Sequence, residues 1–76
     1  MAERVAAKID ARRRLPVPAM RRYIRLAAEL TQQDVAESLG VDRVTVARWE
    51  SGRRTPRGQL LLDYLDLLDE MKNGTA

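Results

Sequence analysis

The stretch GVDRVTVARWESG, residues 40–52, admits two readings that lead to different folds. Val44, Thr45 and Val46 are β-branched and alternating, as in a half-buried strand, whereas Arg43, Arg48 and Trp49 stand at spacings that suit a helix. A strand would put Val44, Val46 and Arg48 on one side and Arg43, Thr45 and Trp49 on the other, so that neither face is apolar. A helix turning ~100° per residue sets Val46 and Trp49 on one face and Arg43, Val44, Ala47 and Arg48 on the opposite one. Only the helix separates core from charge, and Asp42 stands where its N-cap belongs. It leaves Val44 exposed among charges with no packing role.

The flanks supply further helices. Thr31 is an N-cap, with Asp34 three residues on in place of the usual Glu or Gln of a capping box, and Gln32 and Gln33 fill the first turn. Val35, Ala36 and Leu39 share a face, Gly40 suits the left-handed residue that ends a helix, and Val41 seats the turn. Downstream, Ser51-Gly52 ends one helix and Thr55-Pro56 signals the start of another. Leu60, Leu61, Tyr64, Leu65, Leu67, Leu68 and Met71 then spread over roughly 160°, with Asp63, Asp66 and Glu70 opposite. Upstream, Pro18 opens a helix with Ala19, Tyr23, Leu26, Ala27 and Leu30 as its expected buried face, Arg21, Arg22, Arg25 and Glu29 lying away from the centre. Residues 2–14, AERVAAKIDARRR, read as a first helix anchored by Val5 and Ile9 and stopped by Leu15-Pro16-Val17-Pro18. The expectation is one all-α domain over residues 1–76. It comprises an N-terminal helical extension at 1–17, a helix plus two short motif helices within 18–55, and a C-terminal helix at 56–72.

Composition narrows the function. Seventy-six residues leave room for a modest core and no large catalytic cleft. The chain has no His and no Cys, which removes the commonest general base, thiolate and imidazole metal sites, and disulfides. No catalytic residue, metal or other cofactor is expected. No apolar run approaches the ~20 residues needed to cross a bilayer, and charges stand where a signal peptide needs an apolar stretch. A soluble protein of a bacterial cytoplasm, associated with the nucleoid, is expected, without membrane or small-molecule ligand. Residues 1–57 hold 13 basic and 7 acidic groups, and residues 58–76 one Lys against four acids. The basic part is drawn to polyanions. Twelve of the 14 basic residues are Arg, which suits forked contacts to phosphate and guanine and equally fits a GC-rich genome.

Two short helices joined at Gly40-Val41, the second displaying Arg43-Val44 and Arg48, have the form of a helix-turn-helix. The major groove admits one α-helix, from which Arg can bond guanine twice and an apolar group can touch the thymine methyl, so exposed Val44 acquires a purpose. From Arg25 to Pro56, RLAAELTQQDVAESLGVDRVTVARWESGRRTP resembles the phage Cro and repressor-type helix-turn-helix proteins, the XRE-like family. The matching features are Gln32 opening the first motif helix, Ala36 at the helix contact and Gly40 in the turn. Val46 and Trp49 match the recognition-helix core, and Glu50-Ser51-Gly52 the exit. The resemblance implies a small lambda-repressor-like fold of about five helices, with residues 42–51 as recognition helix. It implies that Gln32 holds a phosphate, that Gln33, Arg43, Val44 and Arg48 face bases, that Ser51 and Arg53 lie by the DNA backbone, and that Arg25 pairs internally with Glu50. Thr45 and Arg54 join the backbone candidates. Arg12, Arg13 and Arg14 are either phosphate contacts or complements to a helix C-terminus.

The expected partner is double-stranded DNA, and the expected function is a sequence-specific transcriptional regulator, a Cro-like repressor of a phage or mobile element. The absence of a sensing domain agrees with such a switch. The alternatives are an antitoxin repressing its own operon and a helical interaction module that does not bind DNA. For assembly, the wide apolar arc of the C-terminal helix suggests a homodimer seam. The competing account folds Val5, Ile9 and Leu15 back over Leu61, Leu65 and Leu68.

Overall fold

Residues 2–74 are described by the computed structural model, and they form α1 (Ala2–Arg14), α2 (Pro18–Ala27), α3 (Gln32–Leu39), α4 (Arg43–Ser51) and α5 (Gly58–Gly74). The boundaries follow local chemistry. Thr31 closes both arms of the capping box: its Oγ1 accepts from the Asp34 amide at 3.0 Å, and its own amide donates to Asp34 Oδ2 at 2.8 Å. The Thr31 amide, and after it the Thr31 hydroxyl, hold the Asp34 carboxyl below the usual carboxylate range. Gly40 takes φ 69°, and the Val41 amide returns to the Ala36 carbonyl at 3.0 Å, giving the tight turn between α3 and α4. Pro18 begins α2 as expected.

Three boundaries differ from the expectation. Asp42 has N-cap backbone geometry, but its side chain makes no capping bond; its carbonyl takes the first amides of α4 instead. α2 stops at Ala27, and Glu29 adopts φ 61°, a left-handed conformation usually left to Gly. The Leu30 amide there bonds the Arg25 carbonyl at 3.2 Å. Thr55-Pro56 does not open α5. Pro56 is buried, and the helix starts at Gly58, which takes the left-handed φ of 58°.

The core joins two groups of side chains. Ile24, Val35, Ala36, Val46, Trp49, Tyr64, Leu68 and Met71 form one, and Ala11, Leu61 and Leu65 form the other, with Leu15 packed against both. The face expected for α2 is inverted. Ala19, Tyr23, Leu26 and Ala27 are exposed and Leu30 is half-buried, while Arg21, Ile24 and Arg25 point inward. Both stripes have helical spacing; the inward one wins because each guanidinium finds fixed acceptors inside, so its burial is compensated.

α1 lies along α5, but of the three residues expected to cover that helix only Leu15, just past the end of α1, packs there. Val5 and Ile9 are exposed, and Ala11, fully buried, meets Leu61 and Leu65. The small side chain lets the helices approach. The wide arc of α5 is therefore occupied within the chain: Leu61, Tyr64, Leu65, Leu68 and Met71 are all buried. Of the expected arc, Leu60 and Leu67 stay half-buried. Asp63, Asp66 and Glu70 face solvent as expected.

Candidate nucleic-acid interface

α4 is held from its inner side by apolar packing and two arginines. Val46 and Trp49 are buried, and the Trp49 ring lies 4.7 Å from that of Tyr64, tilted by 41°. The ion pair implied by the resemblance is present: Arg25 Nε reaches Glu50 Oε2 at 2.6 Å and Nη2 reaches Oε1 at 2.9 Å. Arg25 Nη1 also donates to the Leu30 carbonyl at 2.9 Å, tying the end of α2 to the same site. The bond to Glu50 raises the Arg25 pKa above its ordinary value against the opposing effect of burial.

Arg21, expected to point outward, is a second brace. Its Nη1 donates to the Trp49 carbonyl at 2.9 Å and its Nε to the Pro16 carbonyl at 2.7 Å. Its partners are carbonyls and not a carboxylate, and burial lowers its pKa. The end of α4 is thus satisfied twice, since the Arg48 carbonyl accepts from the amides of Arg53 and Arg54 at 3.0 and 3.2 Å. The signal that could have identified Arg21 is its position one helical turn before Arg25, on the same face.

Burial also pushes the Tyr64 phenol up to about 12, with the Glu50 carboxylate adding to the rise and Arg21 and Arg25 opposing it. An unfolded chain releases this proton near pH ~10, so it binds fewer protons than the native state above that pH. Stability should fall as pH climbs from about 10 to about 12, by about 2–3 kcal/mol in all. Tyr64→Phe should flatten this window in a series of urea midpoints. An equal alkaline loss in both proteins would place the titration elsewhere.

On the outer side of α4, Arg43, Val44 and Arg48 are exposed, Val44 to 46%. Gln33 is exposed beside them on α3, with its amide nitrogen 3.2 Å from Glu37 Oε1. Gln32 is half-buried and hydrogen-bonded at both ends of its amide: its Nε2 donates to Glu50 Oε1 at 3.2 Å and its Oε1 accepts from Arg43 Nη1 at 3.1 Å. A hydrogen-bonded series therefore runs from Arg25 through Glu50 and Gln32 to Arg43. Thr45 is half-buried, while Ser51, whose hydroxyl donates to the Arg48 carbonyl at 3.1 Å, is exposed. Arg53 and Arg54 are exposed after the helix.

Thr45, Arg48, Arg53 and Arg54 line an open cleft of about 670 Å³ together with Thr55 and Arg57. Arg57 was not among the expected site residues, although the basic run 53–57 pointed to it. The structure does not draw Arg12, Arg13 and Arg14 into this group by any hydrogen bond among the described residues. They stand exposed at the end of α1, with Arg14 3.0 Å from Asp10. No cluster of acidic residues suited to a metal ion occurs among the described residues, and no described helix is long and apolar enough to cross a membrane.

Comparison with curated proteins and with solved structures gives no match. The model of the helix-turn-helix family HTH_3 matches residues 22–70, from the first inward turn of α2 through most of α5. The match covers the braced recognition helix, the Gly40 turn and the core behind them. It spans well over half of the chain. With five helices around that motif, the chain belongs to the XRE/Cro-like helix-turn-helix family of sequence-specific DNA-binding transcriptional regulators, whose members are not enzymes.

Proposed function

We propose that this regulator is a Cro-like repressor that reads double-stranded DNA by laying α4 in the major groove. The observation that carries the reading is the two-sidedness of α4. Its inner side is fixed by Val46, Trp49 and Glu50, and Arg43, Val44 and Arg48 stand exposed on the outer side. Arg43 and Arg48 offer the forked donors that match guanine O6 and N7, Val44 an apolar surface for the thymine methyl, and Gln33 the paired donor and acceptor that suit adenine. Gln32, Thr45, Ser51, Arg53 and Arg54 are assigned to the sugar-phosphate backbone, where Arg57 joins them from the same cleft. Arg12, Arg13 and Arg14 are assigned more distant phosphate contacts from α1. The site of action is the bacterial nucleoid. A homodimer through α5 would have only the half-buried Leu60, Leu62 and Leu67 to offer.

Selection of bound sequences from random duplex DNA tests the reading, and an enriched motif is expected. Arg43→Ala should cost about 1–3 kcal/mol of affinity and relax preference at one base pair. Arg53→Ala should instead weaken all sequences alike and make the salt dependence shallower by roughly one unit. A uniform loss in Arg43→Ala would move that residue to the backbone. Failure to enrich any sequence would refute the assignment of α4 as the reader.

A further inference from the structure

α2 directs Arg21 and Arg25 to α4, and its opposite face is apolar from end to end. Ala19, Met20, Tyr23, Leu26 and Ala27 are all exposed there, Tyr23 to 65%, Leu26 to 48% and Met20 to 46%. Arg22, on the flank, is the only exposed charged residue of this helix. A surface helix ordinarily carries polar residues on this side. Three large apolar side chains in one exposed row exceed the isolated residues common on any surface.

We propose that this face is a self-association surface, occupied by the same face of a second copy of the chain. The side chains are ordered symmetrically by type about Tyr23. Met20 and Leu26, long and apolar, lie three residues to either side; Ala19 and Ala27, both small, lie four to either side. In an isologous pair of antiparallel helices, each position before the centre meets the equivalent position after it. Met20 then packs on the partner's Leu26, and Ala19 on the partner's Ala27. The two Tyr23 rings lie side by side at the axis. Alanines one turn away allow the helix axes to approach to about 8–10 Å. An unrelated partner would require no such order. Because Arg21 and Arg25 reach α4 from the other side of α2, the pairing leaves α4 free.

The size of the patch sets the strength. A helix of ten residues is about 15 Å long, and one helix face is well short of the roughly 800 Å² per partner of a stable interface. The pair is therefore weak in free solution and takes hold where two copies are kept close, as on neighbouring sites of one DNA, at effective concentrations on the order of millimolar.

Sedimentation of the whole chain without DNA tests this independently of the reading of α4. The weight-average mass should climb from one copy toward two between about 20 µM and about 1 mM, the range of a patch this small. Added salt should strengthen the association, because it screens the repulsion between chains of net charge +3. Tyr23→Glu, with its far-UV circular dichroism unchanged, should stay monomeric throughout. Since the chain has no Cys, Tyr23→Cys should be captured as a covalent dimer by a short bis-maleimide, to which one thiol of each copy adds, and Val44→Cys should not. The proposal is overturned by a wild-type chain that stays monomeric throughout, or by an association that Tyr23→Glu leaves intact. It is overturned equally by association that weakens with salt, which would indicate a contact between Arg12–Arg14 and the acids of α5.

Discussion

Glu50→Ala should destabilise the domain by roughly 3–5 kcal/mol, because it strands the buried Arg25 guanidinium without the carboxylate that balances it. Arg25 loses both of its bonds to Glu50, and Gln32 loses the acceptor for its amide. A domain of this length has a total stability of about 4–11 kcal/mol, so the variant should be unfolded or nearly so at 37 °C. The loss should not be taken as the net worth of the pair. Arg25→Met combined with Glu50→Leu should recover part of it, since apolar residues of similar size remove the stranded charge. Denaturant midpoints of the two single variants and the double variant give the coupling. A coupling energy indistinguishable from zero would mean that the pair contributes no more than an exposed one such as Arg14 with Asp10, both half-exposed or more.

Trp49→Ala should cost a similar amount, about 3–5 kcal/mol, for a different reason. Trp49 is among the largest fully enclosed side chains, and its ring is the one that meets Tyr64, so removal opens a cavity between α4 and α5. The cost falls on the mount of the recognition helix and not on its outer face. Trp49→Phe should keep most of the contact and lose less. Because Trp49 is the sole Trp, these variants are followed by far-UV circular dichroism. A loss below about 1 kcal/mol would mean that the core collapses around the deletion, which close packing makes costly.

Much of the reading side was legible in the sequence because local chemistry determines it. The alternation at Val44–Val46 was resolved by asking which geometry leaves an apolar face. Thr31, Asp34 and Gly40 marked their ends of helices by side-chain or backbone constraints acting over four residues. Arg25 and Glu50, 25 positions apart, came from the resemblance, and their spacing alone could not have paired them. What was misread depended on distant partners. In α2, two stripes of equal periodicity compete, and hydropathy ranks arginine as outward; the carbonyls of Pro16 and Trp49 that receive Arg21 are invisible locally. The arc of α5 looked wider than one chain could cover because two neighbours share it, with Ala11 on Leu61 and Leu65 and the main core on Tyr64, Leu68 and Met71. Ala11 carries no hydropathic signal strong enough to outweigh Val5 and Ile9.

The bond from Gln32 to Arg43 bears on how the reader meets its target. A free arginine side chain samples many rotamers, and fixing it costs about 2 kcal/mol of conformational entropy. In this chain the guanidinium of Arg43 is already restrained by an amide that is itself anchored to buried Glu50. Part of the ordering is thus complete before any duplex arrives, and less of the contact energy is lost to immobilisation. Gln32→Ala would release that restraint, together with the phosphate contact proposed for Gln32 itself, while leaving the base-facing side chains in place. Arg43 should then contact DNA with a larger entropic penalty and a more negative binding enthalpy in compensation, a signature for calorimetry.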